Sequence, residues 1–112
     1  MADEFSTEVS QDGDATVISV RGEIDIATCE RLRDAIEPHL APQQTIILDL
    51  SEVGFMDSSS LTVLLQARGT LTADGGSLFL RNPSVAAHRL LTLAGLEDLL
   101  QADADQHASD SN

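Results

Sequence analysis

The sequence lacks lysine, tryptophan and tyrosine altogether and contains a single cysteine, Cys29. Its six basic residues are all arginines and stand against nineteen acidic residues, which gives a formal net charge of −13. Because nucleic-acid binding depends on basic contacts with phosphate, this balance argues against a nucleic-acid partner. The acidity serves either to steer a basic protein partner or only to maintain solubility. One cysteine excludes an internal disulfide, and the scarcity of aromatics predicts an aliphatic core.

The sequence also lacks the motifs of metal binding, cofactor binding and catalysis. His39, His88 and His107 have no metal-ligand spacing, and neither a Gly-x-Ser-x-Gly motif nor a glycine-rich phosphate loop is present. We therefore expect no cofactor and no enzymatic activity. No apolar run approaches membrane-spanning length, and the first residues are acidic where a secretory signal would be basic. These features predict a cytoplasmic protein without membrane insertion.

Alternating apolar residues and turn signals predict an α/β domain with the element order β-β-α-β-α-β-α. The expected strands cover 5–11, 16–21, 46–50 and 77–80. The pair Asp12-Gly13 predicts a hairpin between the first two strands, and Gly22 is expected to end the second. The first strand has the alternation of an edge strand.

Three helices are expected between and after these strands. The first should end near 35–37, because Pro38 cannot continue the hydrogen-bond ladder. The second should run from Ser58 to about 72. The third should begin with Asn82 as cap and Pro83 at the first position, and Gly95 should end it. Their predicted apolar faces are Cys29, Leu32, Ile36 and Leu40, then Leu61, Leu64 and Leu65, then Ala86, Leu90 and Leu93.

The most informative stretch runs from 46 to 65, where a buried strand gives way to a helix. Asp57, Ser58, Ser59 and Ser60 separate the two, and residues of these types favour helix N-termini. Asp57 is the expected N-cap, so Ser58 occupies the first helical position beside free N–H groups and the positive end of the helix dipole. A phosphate on Ser58 would be stabilised there. On spacing alone, a simple helix cap is the more common role of such a cluster.

Residues 49–61 closely resemble the signature of the anti-sigma factor antagonists, which are bacterial STAS domains. In that family an Asp-Ser-Ser-Gly-Leu sequence opens a helix, and its first serine, Ser58 here, is phosphorylated by an anti-sigma factor kinase. The turn over 22–25 looks like the family's Gly-Glu-Leu-Asp turn, and 82–96 is similar to its last helix. Ser60 stands where the family usually has glycine, and it adds a hydroxyl beside Ser58.

The resemblance implies a STAS fold, which is a four-stranded mixed β-sheet with three to four helices packed against it. The parallel crossovers of such a sheet should be right-handed. The domain is expected to occupy 1–101, with residues 1–4 disordered. From 102 to 112 the chain is polar and acidic, and it lacks the apolar residues that would offset the entropy of ordering. We therefore expect a disordered tail there.

The resemblance also implies a partner-switching function in transcription. Unmodified, the protein would bind an anti-sigma factor serine kinase and release a sigma factor, and phosphorylation of Ser58 would switch this binding off. A phosphatase acting on phospho-Ser58 would restore it. The implied partner-binding residues are Asp25, Asp57, Ser58, Ser59 and Ser60. Asp25 has a second interpretation, in which it only caps a helix.

An alternative function keeps the fold without the switch. STAS domains also serve as non-phosphorylated scaffolds or as transporter-associated regulatory subunits, and neither role needs a phosphorylated Ser58. The intact Asp57-Ser58-Ser59 sequence favours the switch, whereas Ser60 weakens that preference.

Overall fold

A computed structural model describes residues 5–100, in which four strands form one mixed sheet. The strands are β1 (Ser6–Asp12), β2 (Ala15–Ile24), β3 (Thr45–Met56) and β4 (Ser77–Arg81). They lie in the order β1-β2-β3-β4, with β1 antiparallel to β2 and with β2, β3 and β4 parallel. The helices are α1 (Cys29–Ile36), α2 (Ser58–Ala73) and α3 (Val85–Ala94). The predicted element order β-β-α-β-α-β-α is confirmed.

A tight turn joins β1 to β2, as the Asp12-Gly13 pair predicted. Asp12 pairs with Ala15, and Gly13 adopts a φ of +65°, which glycine reaches without steric cost. Among residues 5–100, β1 pairs only with β2 and is therefore the expected edge strand. The prediction that Gly22 ends β2 was wrong. The strand continues to Ile24, because shifts in its register with β3 on either side of Gly22 allow the pairing to go on.

The central strand β3 is more than twice as long as the apolar run over 46–50 that predicted it. Residues 51–54 include the turn-forming Ser51 and Gly54, yet they remain in the strand because β2 pairs with β3 as far as Met56. Val53 and Met56 are buried, so this extension contributes to the core. The expected end of this strand at Leu50 was therefore wrong, since pairing across the sheet outweighed local preference.

Helix α1 follows the prediction closely. It ends at Ile36, and the next residues, Glu37–His39, form a short 3-10 turn that contains Pro38. Leu32 and Ile36 are buried, while Cys29 and Leu40 are partly buried against the core. The predicted stripe is therefore the face that packs inward.

The buried faces of α2 and α3 match the predicted stripes only in part: Leu64 is buried, and Leu61 and Leu90 pack against the core. In α2, Val63 and Leu64 are buried, whereas Leu65 remains 42% exposed. In α3, Ala87 and Leu91 are buried, whereas Leu93 is 78% exposed. Both helices carry apolar residues on several sides, so the periodicity alone did not distinguish the face that meets the sheet.

The start of α3 was also predicted wrongly. The N-cap is Ser84, whose hydroxyl accepts a hydrogen bond from Ala87 N at 3.1 Å, and not Asn82. Asn82 instead takes a φ of +50°, in the left-handed region that asparagine tolerates, and Pro83 precedes the helix. Gly95 ends α3 as predicted, with a φ of +73°.

One core, built almost wholly from aliphatic side chains, lies between the sheet and the helices, as the scarcity of aromatics predicted. The residues after α3 pack back onto it as expected: Leu99 is buried in a 3-10 turn over Glu97–Leu99, and Leu100 bridges to Leu80 of β4. No helix within 5–100 is long and apolar enough to cross a membrane. The predictions of disorder for 1–4 and for the 102–112 tail lie outside the described residues.

Candidate functional site

The candidate site lies at the edge of the sheet where β2 and β3 end. Ile24 and Met56 form the last pair of these parallel strands, and the chain leaves them as Asp25 and Asp57. A hydrogen bond from Asp57 N to Ile24 O, at 3.1 Å, ties the two exits together. The structure thus brings together two half-buried aspartates that are 32 residues apart in the sequence. In open α/β sheets, the carboxyl ends of parallel strands are the usual place for binding.

Asp57 is the N-cap of α2, as the sequence predicted. Its backbone is extended, with φ −117° and ψ −178°, and its Oδ1 accepts a hydrogen bond from Ser59 N at 2.9 Å. The same oxygen also accepts one from the Ser59 hydroxyl. The Asp57 carboxylate therefore holds both the start of the helix and the second serine in place.

The three serines of this cluster have different environments. Ser58 is exposed, and its hydroxyl makes no hydrogen bond with any residue from 5 to 100. Ser59 is half-buried and donates to the Asp57 carboxylate. Ser60 is completely buried, and its hydroxyl donates to the carbonyl oxygen of Asp57. The inclusion of Ser60 among the partner-binding residues is therefore corrected, because its side chain lies inside the domain.

The position of Ser58 suits a negatively charged group. It is the first residue of a 16-residue helix, where N–H groups without helical partners and the positive end of the dipole lie together. No acidic residue occupies the first turn of α2, so Asp57 is the charged group nearest in sequence. A phosphate on Ser58 would be stabilised by the helix while lying beside one carboxylate.

Asp25 closes the turn between β2 and α1. Its Oδ1 accepts hydrogen bonds from Ala27 N at 3.0 Å and from Thr28 N at 3.2 Å. The helix itself begins after Thr28, which makes no side-chain cap hydrogen bond, so Asp25 caps the turn that leads into α1, as its second interpretation predicted. The other carboxylate oxygen, Oδ2, makes no hydrogen bond within residues 5–100 and is free to accept one from a partner.

Other polar residues singled out in the sequence lie apart from this edge. His39 belongs to the 3-10 turn after α1, and His88 lies on the exposed face of α3. Within residues 5–100, no group of three or more histidine, cysteine, aspartate or glutamate side chains is placed to hold a metal ion. His107 lies outside the described residues.

A loss of the Asp57 cap should weaken the site locally. For Asp57→Ala we expect the free energy of unfolding to fall by about 1 kcal/mol, because the N–H of Ser59 and the Ser59 hydroxyl lose their acceptor. Urea denaturation followed by circular dichroism measures this change. An unfolding midpoint equal to that of the parent would contradict the capping role.

Comparison with known families identifies the class of protein to which this mixed sheet and its helices belong. The family model described as "Mlab, STAS domain" matches residues 7–101. The chain therefore belongs to the STAS domain family and has its fold.

Several proteins that this chain resembles are named as anti-sigma factor antagonists. The anti-sigma-B factor antagonist of Listeria monocytogenes is 33% identical over 99 residues, which cover 87% of each chain. A crystal structure of an anti-sigma factor antagonist from Mycobacterium paratuberculosis superimposes with a TM-score of 0.79 and 28% identity over 96% of each chain. The anti-sigma factor antagonist SpoIIAA, solved in its unphosphorylated form, gives a TM-score of 0.74 and 25% identity over 96% of this chain and 100% of its own. SpoIIAA has also been solved in a phosphorylated form, with a TM-score of 0.67 and 25% identity over 92% of this chain and 99% of its own.

Proposed function

We propose that this protein is an anti-sigma factor antagonist. Its surface around Asp25, Asp57, Ser58 and Ser59 binds an anti-sigma factor serine kinase, and the kinase then releases a sigma factor. The relatives named as antagonists support this class of function. The observation that carries the proposal is the Ser58 hydroxyl, which is exposed and without a hydrogen-bond partner within residues 5–100 at the first position of α2.

Phosphorylation of Ser58 ends the interaction. The kinase transfers the γ-phosphoryl group of ATP to Ser58 Oγ, the hydroxyl loses its proton, and ADP leaves. A phosphatase later hydrolyses the phosphoserine and restores the hydroxyl. The existence of a phosphorylated form of SpoIIAA supports such a modification in this class.

Electrostatics explains how one phosphate can abolish docking. The group adds about −1.5 to −2 charges at neutral pH, next to the half-buried Asp57 and across the edge from Asp25. A partner surface that fits a neutral hydroxyl would then have to remove the water around this charge without replacing it by favourable contacts. A cost of about 4 kcal/mol corresponds to roughly a thousandfold loss of affinity. The helix N-terminus stabilises the phosphate where it is, so no refolding is required.

The hydrogen bonds of the cluster favour Ser58 as the residue that receives the phosphate. The hydroxyls of Ser59 and Ser60 already donate to Asp57, and Ser60 is also buried. Only the Ser58 oxygen among the three reaches solvent without giving up a hydrogen bond.

The test is incubation with the cognate anti-sigma factor kinase and ATP, followed by intact-mass measurement and peptide mapping. We expect one phosphate, located on Ser58. Ser58→Ala should accept none, and the matched variant Ser59→Ala should still accept one. Absence of phosphate from the parent would favour the non-phosphorylated scaffold or the transporter-associated subunit instead, and phosphate on another residue would refute Ser58 as the modified residue.

A further inference from the structure

Two large apolar side chains are exposed at the same edge as Asp25 and Ser58. Ile26 is 78% exposed and Phe55 is 46% exposed. Ile26 follows Ile24 by two residues, and Phe55 precedes Asp57 by two residues. Two residues of chain span at most about 7 Å, so both lie close to the hydrogen bond that joins Ile24 O to Asp57 N. Both side chains therefore fall within one patch of the size that a typical protein interface covers, about 800 Å² per partner.

Ile26 is presented on a turn that is held rigidly. The Asp25 carboxylate binds the N–H groups of Ala27 and Thr28, which follow Ile26, and the Thr28 hydroxyl donates to Glu23 O at 2.8 Å. Cys29 N adds a backbone hydrogen bond to Asp25 O at 2.8 Å. The backbone of such a preorganised turn loses little conformational entropy when a partner covers it.

Phe55 is also held by the backbone, since it lies in β3 and pairs with Glu23 of β2. Its neighbour Met56 points into the core, whereas nearly half of Phe55 remains accessible. Phenylalanine is among the residues enriched in protein interfaces, so an exposed and rigidly held one is a candidate anchor.

We infer that Ile26 and Phe55 are the apolar anchors with which this edge docks onto the anti-sigma factor kinase. The inference rests on the proposed function and states the chemistry of the partner surface. That surface has an apolar pocket that receives Ile26 and Phe55 and also covers Ser58, and it places an arginine or lysine side chain against the free Oδ2 of Asp25. The basic side chain complements a chain whose formal net charge is −13. A phosphate on Ser58 would have to lose its water against the apolar pocket, which opposes docking.

The test compares the affinity of the same kinase for matched surface variants, by isothermal titration calorimetry with unphosphorylated protein. Ile26→Ser should raise Kd about 10- to 100-fold, because an anchor that becomes buried in the complex is lost. Phe55→Ser should raise Kd by a similar factor. The control is Leu93→Ser on α3, which removes an equally exposed apolar side chain, 78%, away from the edge. It should leave Kd within about twofold of the parent value.

The outcomes separate this inference from the proposed function. Ile26 is exposed, so Ile26→Ser should keep the parent's circular dichroism spectrum and report on binding alone. If Ile26→Ser and Phe55→Ser bind as tightly as the parent while Ser58→Asp loses binding, the anchors are refuted and the proposed function stands. An equal loss of affinity in Leu93→Ser would also refute the role of Ile26 and Phe55 as anchors. If the parent itself does not bind the kinase, the proposed function fails and the inference fails with it.

Discussion

Ser58→Asp is expected to weaken binding of the anti-sigma factor kinase at least about a hundredfold, without loss of the fold. The new carboxylate lies beside Asp57 and across the edge from Asp25, at a surface that must be desolvated when the partner docks. The single charge of aspartate should give part of the effect of a phosphate. A phosphate carries about −1.5 to −2 charges and should weaken binding roughly a thousandfold. Titration calorimetry with the purified kinase measures both values.

The control for charge is Ser58→Asn, which has nearly the shape of aspartate but is neutral. It should bind within about tenfold of the parent, since only the added charge is expected to oppose docking. Ser58→Asp should melt no lower than the parent, because an acidic residue in the first turn of a helix is stabilised by the dipole. Equal affinity of Ser58→Asp and the parent would show that charge at this position does not gate the interaction.

Gly76→Ala is expected to lower the free energy of unfolding by about 3 kcal/mol. A Cβ atom at position 76 would lie 2.3 Å from Gln44 O and 3.0 Å from Gln44 N, and both are backbone atoms that cannot rotate away. Relief of this overlap must move the start of β4, where Ser77 N donates to Gln44 O at 3.1 Å. Overpacking against fixed atoms typically costs about 1–3 kcal/mol, and the loss of this hydrogen bond adds to it.

Gly69→Ala is the matched control, because it makes the same chemical change inside α2. A Cβ atom at position 69 meets nothing within 4 Å. Alanine is a better helix former than glycine, so Gly69→Ala should raise the free energy of unfolding by about 0.5–1 kcal/mol. Urea denaturation curves of the two variants and the parent compare these effects directly. Equal unfolding midpoints for Gly76→Ala and the parent would contradict the close approach of the two chain segments.

The elements that the sequence predicted correctly depend on chemistry within a few residues of one another. Asp57 caps α2 because its carboxylate reaches an N–H only two residues away. Pro38 ends α1 because it has no N–H to continue the ladder. Gly13 and Gly95 provide left-handed backbone at the hairpin and at the end of α3. Interactions between residues this close in sequence do not depend on the rest of the fold, so they can be recognised from the sequence alone.

The errors involve groups far apart in the sequence. β2 and β3 extend to Ile24 and Met56 because they pair with each other, although turn-forming residues occur in both. Leu65 and Leu93 are exposed because the helices turn other residues toward the sheet. The exposure of Ile26 was not predicted either, and its only signal was that it follows the Asp25 turn and falls outside the apolar stripe of α1.

The sequence by itself determined the order of the elements, the start of α2 at Ser58 and the acidic, aliphatic character of the chain, because local hydrogen bonding and composition suffice for these features. Only the tertiary structure decided that Asp25 and Ile26 share an edge with Asp57 and Ser58, and that Ser60 lies inside. The physical reason is that strand pairing joins residues 32 positions apart, and the burial of a side chain depends on what packs across from it.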